Sequence, residues 1–178
     1  MSNKIQILLD QAQQARREHH PGDARLHQQE AVRLCRESTD PLLLARALTG
    51  LGKIERDLSN PAKALRAYQE AAMIYRNADD DLRYAHAIRH VGDIYREEKL
   101  LGPAGPCYRA ALDIYHAHPH SEPLDVANAI RGYALLKEET KEPLEAIGLW
   151  KEARELYAKV KVEAGVAEST RRIALLER

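Results

Sequence analysis

Few residues in this chain stand at spacings that could do chemistry. His86 and His90 lie four apart, which on a helix puts two imidazoles on one face, a spacing that can hold a metal. Only Asp93 is near enough in sequence to serve as a third ligand, so the nearer expectation is protonation of exposed histidines around neutral pH. His116, His118 and His120 alternate in HAHPHSEP and read as an exposed loop between helical stretches, and His19-His20 opens a turn. Cys35 and Cys107 show no CxxC or other paired spacing, so both are expected as free thiols. LGPAG lacks the Lys-Ser/Thr ending of a phosphate-binding loop, and no serine stands with a histidine and an acid at a usable spacing. No metal site, cofactor site or catalytic set emerges, and the chain is not expected to be an enzyme.

What the sequence does specify is the set of elements that would carry such residues. The stretch YAHAIRHVGDIYREEKLLGPAGPCYRAALDIY reads as two helices joined by a tight turn, each with one apolar face at spacings of three, four or seven. Nearly the same pattern recurs along the chain. Ala24, Ala64, Ala104 and Ala146 are separated by 40, 40 and 42 residues. Twelve residues before them stand Ala12, Gly52, Gly92 and Ala134, and seven after them Ala31, Ala71, Ala111 and Ala153. Four after them come Gln28, Tyr68, Tyr108 and Trp150, and eleven after them Cys35, Tyr75, Tyr115 and Tyr157. Small residues let two helices of a hairpin cross closely, and the large ones fill the space to the next hairpin. One hairpin cannot bury its own apolar face, so stacked copies must.

Helix-start chemistry punctuates the columns. Pro21, Pro61 and Pro143 fit the first position of a helix, where a missing N–H costs nothing, and Asn60 is the expected N-cap before Pro61. Asp40-Pro41, Asp79 to Asp81 and Ser121-Glu122-Pro123 place acidic or hydroxyl groups where a helix N-terminus favours them. The third copy departs, with Leu101, Gly102, Pro103, Gly105 and Pro106, and its second helix is expected to start late or with a distorted first turn. VAESTRRIALL near the end aligns with VANAIRGYALL, placing Ala174 in the column of Ala134. The boundaries read as one domain over 1–178, with units at about 3–38, 42–77, 82–117 and 124–159 and a capping helix over 163–177.

These columns resemble the tetratricopeptide (TPR) repeat, most closely in Leu48, Leu51, Gly52, Ala64, Tyr68 and Ala71, and in Ile88, Val91, Gly92, Tyr95, Ala104, Tyr108 and Ala111. Ile130, Tyr133, Ala134, Ala146, Trp150 and Ala153 match again, while the first unit offers only Leu8, Ala12, Ala24 and Ala31. The period of 40–42 is similar to the longer-repeat branch found in kinesin light chains and some bacterial regulators. The resemblance implies an all-α fold: a right-handed superhelical solenoid of antiparallel hairpins, four TPR-like units plus a C-terminal capping helix. It also implies a scaffold that binds protein segments on its concave side, and no enzyme.

The first-helix columns left out of the core read Arg46, Thr49, Lys53, Arg56; His86, Arg89, Asp93, Arg96; and Asn128, Arg131, Leu135, Glu138. Six of these twelve are Lys or Arg, against about two expected from the overall content, so positive charge is segregated onto one face of a chain with 27 basic and 27 acidic residues. His90, Arg171 and Arg172 lie at its edges. By the resemblance this face is the concave one, and it suits an acidic or carboxylate-ended peptide, because guanidinium groups donate paired hydrogen bonds to carboxylates and Asn128 can bond an extended backbone. The plainer alternative is a solvated face whose cations pair with acids one turn away, as Asp93 does beside Arg89 and Arg96. Two other functions stay open: self-assembly into a homo-oligomer, and a sensor of a small anionic ligand. Zero net charge and the lack of interleaved aromatics argue against nucleic acid and a membrane surface as partners. The opening MSNKIQILLDQAQQ is too short an apolar run for a signal peptide, so the chain reads as cytoplasmic and complete from its Met.

Overall fold

The computed structural model describes residues 2–178, and among them the chain forms nine α-helices and no strand. They are α1 (Ser2–Arg17), α2 (Pro21–Arg36), α3 (Pro41–Asp57), α4 (Pro61–Asn77), α5 (Asp81–Glu97), α6 (Leu101–Ala117), α7 (Pro123–Glu139), α8 (Pro143–Lys159) and α9 (Glu163–Leu176). The chain divides into two compact units, one ending at Ala87 and the other running from Ile88 to Arg178, with the boundary inside α5. No described helix is long and apolar enough to cross a membrane.

In the first unit α1 packs on α2, α2 on α3 and α3 on α4. The small columns do what the sequence requires of them. Ala12 and Ala24 meet Ile54 with no exposed surface of their own, and Ala15 and Leu58 close over them. Gly52 lies so near the Tyr68 ring that a Cβ there would fall 2.7 Å from Cε2. In the second unit α7 packs on α6 and α8, and α9 on α8. Tyr108 is fully buried with Ala104 and Leu136, and Tyr95, Leu101 and Tyr133 pack around them. Its ring is seated on two glycines, Gly92 of α5 and Gly132 of α7, which the absence of a side chain brings within contact.

The hairpin turns share one device that the sequence hid. His19, Ser59, Lys99 and Lys141 each adopt a positive φ, between 57° and 62°. The next residue then donates its N–H five residues back: His20 to Ala15, Asn60 to Glu55, Leu100 to Tyr95 and Glu142 to Lys137, all at 2.8–2.9 Å. This is the left-handed closure that usually takes glycine, here made by residues with a Cβ. Asp79 and Lys161 do the same after α4 and α8. Asp79 therefore ends α4, and it is Asp80 that caps α5, accepting from Arg83 N at 3.2 Å. Asp40 caps α3 through Leu43 N as expected.

Three expectations are corrected. Asn60 occupies the N-cap position of α4, but its side chain makes no cap bond and instead donates to Glu55 Oε2 at 2.9 Å. Glu55 is 1% exposed, so its carboxylate has the stronger claim on a donor. The second helix of the third hairpin does not start late: α6 begins at Leu101 and runs through both prolines. Pro103 sits in the first turn, where N–H groups have no intrahelical partner, so only Pro106 removes a bond. Ser121 does not serve α7; its hydroxyl donates back to Tyr115 O at 2.6 Å. At the other end, Ala174 is exposed where its column-mate Ala134 is fully buried, and α9 buries Gly165, Ser169 and Ile173 instead.

Candidate functional site

The segregated basic residues fall in both units, and each unit treats them differently. In the first, α1, α2, α3, α4 and the start of α5 enclose a cleft of about 400 Å³. Leu9, Ala12 and Ile54 give it apolar walls, Arg46, Lys53 and Arg83 give it cations, and His86 lies beside them. Arg46 is exposed and reaches only Gln6 Oε1, at 3.4 Å; it holds no carboxylate among the described residues. Arg83 is held by Asp80 at 2.5 Å, and Arg16, also lining the cleft, by two bonds to Asp57 at 2.5 and 3.3 Å. Asp10 is the acid that lines the cleft, and Gln6 donates to it at 2.8 Å. Arg56, placed on the same face by the sequence, does not line the cleft.

Deeper in the same cleft lie residues that the column analysis assigned only to packing. Tyr75 lines it, with a hydroxyl that burial holds above its usual pKa and therefore protonated. Gln28 is 4% exposed and donates Nε2 to Ala47 O at 2.7 Å. Gly50 stands over it. Thr49 lines the cleft too, its hydroxyl donating to Ala45 O one turn back. The signal for Gln28 was present in the sequence: it is the one polar residue in a column of Tyr68, Tyr108 and Trp150.

In the second unit Arg89, Arg96 and Arg131 are already occupied by acids of the chain. Arg89 is a core residue, 7% exposed, and its Nη1 donates to Asp93 Oδ2 at 3.0 Å. Its Nη2 lies 2.8 Å from His90 Nε2; a guanidinium can only donate, so that nitrogen accepts and the imidazole proton sits on Nδ1, 3.3 Å from Asp93. Tyr108 donates its hydroxyl to the other oxygen of Asp93 at 2.8 Å, and burial with that negative neighbour raises the phenol's pKa. Asp93 is thus the hub of a buried network.

The outer pairs follow suit. Arg131 grips Glu168 of α9 with two bonds, at 2.7 and 2.9 Å, which hold that carboxyl below its ordinary range. Arg96 binds Glu139 at 2.8 Å, and Lys99 binds its other oxygen at 3.0 Å. Asn128 accepts from the Tyr157 hydroxyl at 2.9 Å. Glu138 joins three helices, taking Trp150 Nε1 at 2.5 Å and Arg172 at 3.1 Å. Arg171 is exposed and adds only its field to Glu168.

No family model matches the sequence, and no curated protein matches it either. Among solved structures the chain is similar to BtubC (BKLC) from P. vanneervenii, with a TM-score of 0.79 at 18% identity over 88% of this chain. It spans 64% of the length of that chain. It is also similar to the MamA protein, with a TM-score of 0.65 at 14% identity, covering 99% of this chain and 93% of that one. At such identities the likeness shows the fold, and together with the helices above it makes this an all-α, tetratricopeptide-like helical-repeat solenoid.

Proposed function

We propose that this chain is a non-enzymatic protein-interaction scaffold that takes an acidic peptide segment in the cleft of its first unit. The observation that carries this reading is Arg46, an exposed guanidinium at the cleft with no carboxylate partner among the described residues. Lys53 adds charge, and Leu9 and Ile54 offer apolar surface to neighbouring side chains of the ligand. A preformed cleft on packed helices needs little ordering on binding, so modest contacts translate into affinity. The second unit contributes the rest of the scaffold, and its Arg89, His90, Asp93, Arg96, Asn128 and Arg131 are spent on internal bonds. The repeats belong in this reading to the longer, 40–42-residue type, arranged as one domain of four hairpins and a closing helix. Two free cysteines, one of them buried, favour a reducing, cytoplasmic setting.

The test is fluorescence anisotropy with a library of labelled acidic peptides against wild-type protein and Arg46→Glu. Charge reversal at one contact should weaken the best binders about tenfold or more and steepen the loss at low salt. Equal affinity for both proteins, or a preference for neutral peptides, would sink the proposal.

A further inference from the structure

We infer that Gln28 is a specificity-determining residue of this cleft, and that the segment it accepts is extended, presenting a backbone N–H beside its acidic side chain. The inference rests on the reading of the cleft as an acidic-segment site and adds what the ligand's backbone must do.

The Gln28 amide is oriented by its own hydrogen bond. Its partner, Ala47 O, can only accept, so the atom 2.7 Å away is the nitrogen and the oxygen points elsewhere. Oε1 makes no hydrogen bond among the described residues, although Gln28 is 4% exposed and lines the cleft. Oε1 is not among the fully buried polar atoms, so this oxygen of a buried side chain opens on the cleft and is an acceptor for whatever enters. Elsewhere the same column holds Tyr68, Tyr108 and Trp150, all fully buried. A large ring here would fill the space; glutamine leaves a polar wall.

Gly50 gives access to that wall. Arg46, Gly50 and Lys53 follow each other at four and three residues along α3, so they share a face, and the glycine is a notch between two cations about 10 Å apart along the axis. A Cβ at Gly50 would fall 2.6 Å from Gln28 Nε2, so any side chain there would displace the amide. A ligand in the notch therefore meets an acceptor at its base and positive charge on either side.

This combination selects among partners. A helical segment spends its N–H groups on its own carbonyls and has none to give Oε1. A free ammonium would satisfy Oε1 but be repelled by Arg46 and Lys53. An extended segment has neutral N–H groups to give and carries an acidic side chain within reach of the cations.

The experiment is calorimetric titration with the tightest member of a library of acetylated, amidated hexapeptides, each holding one Asp or Glu. The same peptide is then made with each backbone N–H in turn replaced by N-methyl. At one position, at or beside the acid, methylation should weaken wild-type binding about tenfold. Gln28→Met, close in volume, should bind the parent about tenfold less tightly and be indifferent to methylation at that position. Gly50→Ala should lose a similar factor with Gln28 still present, which keeps the test decisive if thermal melting shows that Gln28→Met is unfolded.

Tolerance of every N-methyl group by wild-type protein, or the same methylation penalty in Gln28→Met, overturns the inference. So does tighter binding by a peptide whose acid is a free C-terminal carboxylate. If those results come with binding that still depends on Arg46, the acidic-segment reading survives; if no peptide binds, or Arg46→Glu changes nothing, that reading has itself failed.

Discussion

The two units differ at one member of the segregated charge, Arg46. In the second, Arg89, Arg96 and Arg131 stand in the columns that the resemblance assigned to a binding face, yet each is met by an acid of the chain itself: Asp93, Glu139 and Glu168. In the first, Arg46 occupies the same column as Asn128 and reaches no acid, while Arg83 and Arg16 lean on aspartates at the rim. A run of basic residues on one helix face is therefore not evidence of a binding surface. What counts is whether the fold brings a carboxylate to it, from the same helix as with Asp93 or from another as with Glu139 and Glu168.

That contrast can be broken most forcefully at Asp93. Asp93→Ala strands the buried Arg89 and removes the acceptor of the Tyr108 hydroxyl, and should cost about 3–5 kcal/mol in urea unfolding followed by circular dichroism. Arg46→Ala, by contrast, should leave the unfolding midpoint where it was. A large loss at Arg46, or none at Asp93, would reverse the roles assigned to the units.

Next in size come the glycines. Gly132→Ala places a Cβ 2.5 Å from Tyr108 Cε1 and 3.0 Å from Asp93 Oδ1, both held by the buried network, and should cost about 1–3 kcal/mol. Gly50→Ala meets only the end of the Gln28 side chain, which can swing, so its thermal midpoint should fall less. Equal losses would mean that the first unit's cleft is as rigid as the second unit's core.

A smaller effect follows from Glu168. The Arg131 hydrogen bonds lower its pKa in the folded state below the ordinary 4.5. A depressed carboxyl stabilises the fold above its unfolded pKa, and that stabilisation is lost as pH falls through the folded value. Arg131 is 39% exposed, so solvent screening limits the contribution to about 1 kcal/mol or less. Glu168→Gln should thus be slightly less stable than wild type near neutral pH and equal to it once the pH lies below the folded value, as read from paired urea titrations. A gap that persists in acid would place the contribution in packing and not in charge.

The smallest prediction sharpens the comparison by removing it. Ser59 and Lys141 hold the same left-handed turn, one in each unit, with φ of 57° and 62°. Glycine at either should raise stability by about 0.5 kcal/mol, because the turn is local and knows nothing of the surrounding charge. Unequal gains in thermal melts would show that the turns differ in more than their side chains.

Much of the fold was legible because it is written in short-range patterns. Gly52, Gly92, Tyr68, Tyr108 and Trp150 announce close crossings and the rings that fill them, and the structure buries them accordingly. The turns were less legible. His19, Ser59, Lys99 and Lys141 carry no glycine signal, since a five-residue backbone bond outweighs the cost of their conformation. Pro106 misled for a related reason: one lost bond in a helix packed on its neighbours is tolerated, so α6 starts where its column says and not where its composition suggests.

The sequence by itself determined that this chain is built of stacked helix hairpins and which residues form their buried columns, because helical periodicity and side-chain size act between near neighbours. Only the tertiary structure decided which charges are spent. Arg131 and Glu168 are 37 residues apart, Arg96 and Glu139 are 43, and Gln28 finds Ala47 across 19. No column couples such positions, and neutralising a cation depends on a distance of a few ångströms that packing alone sets.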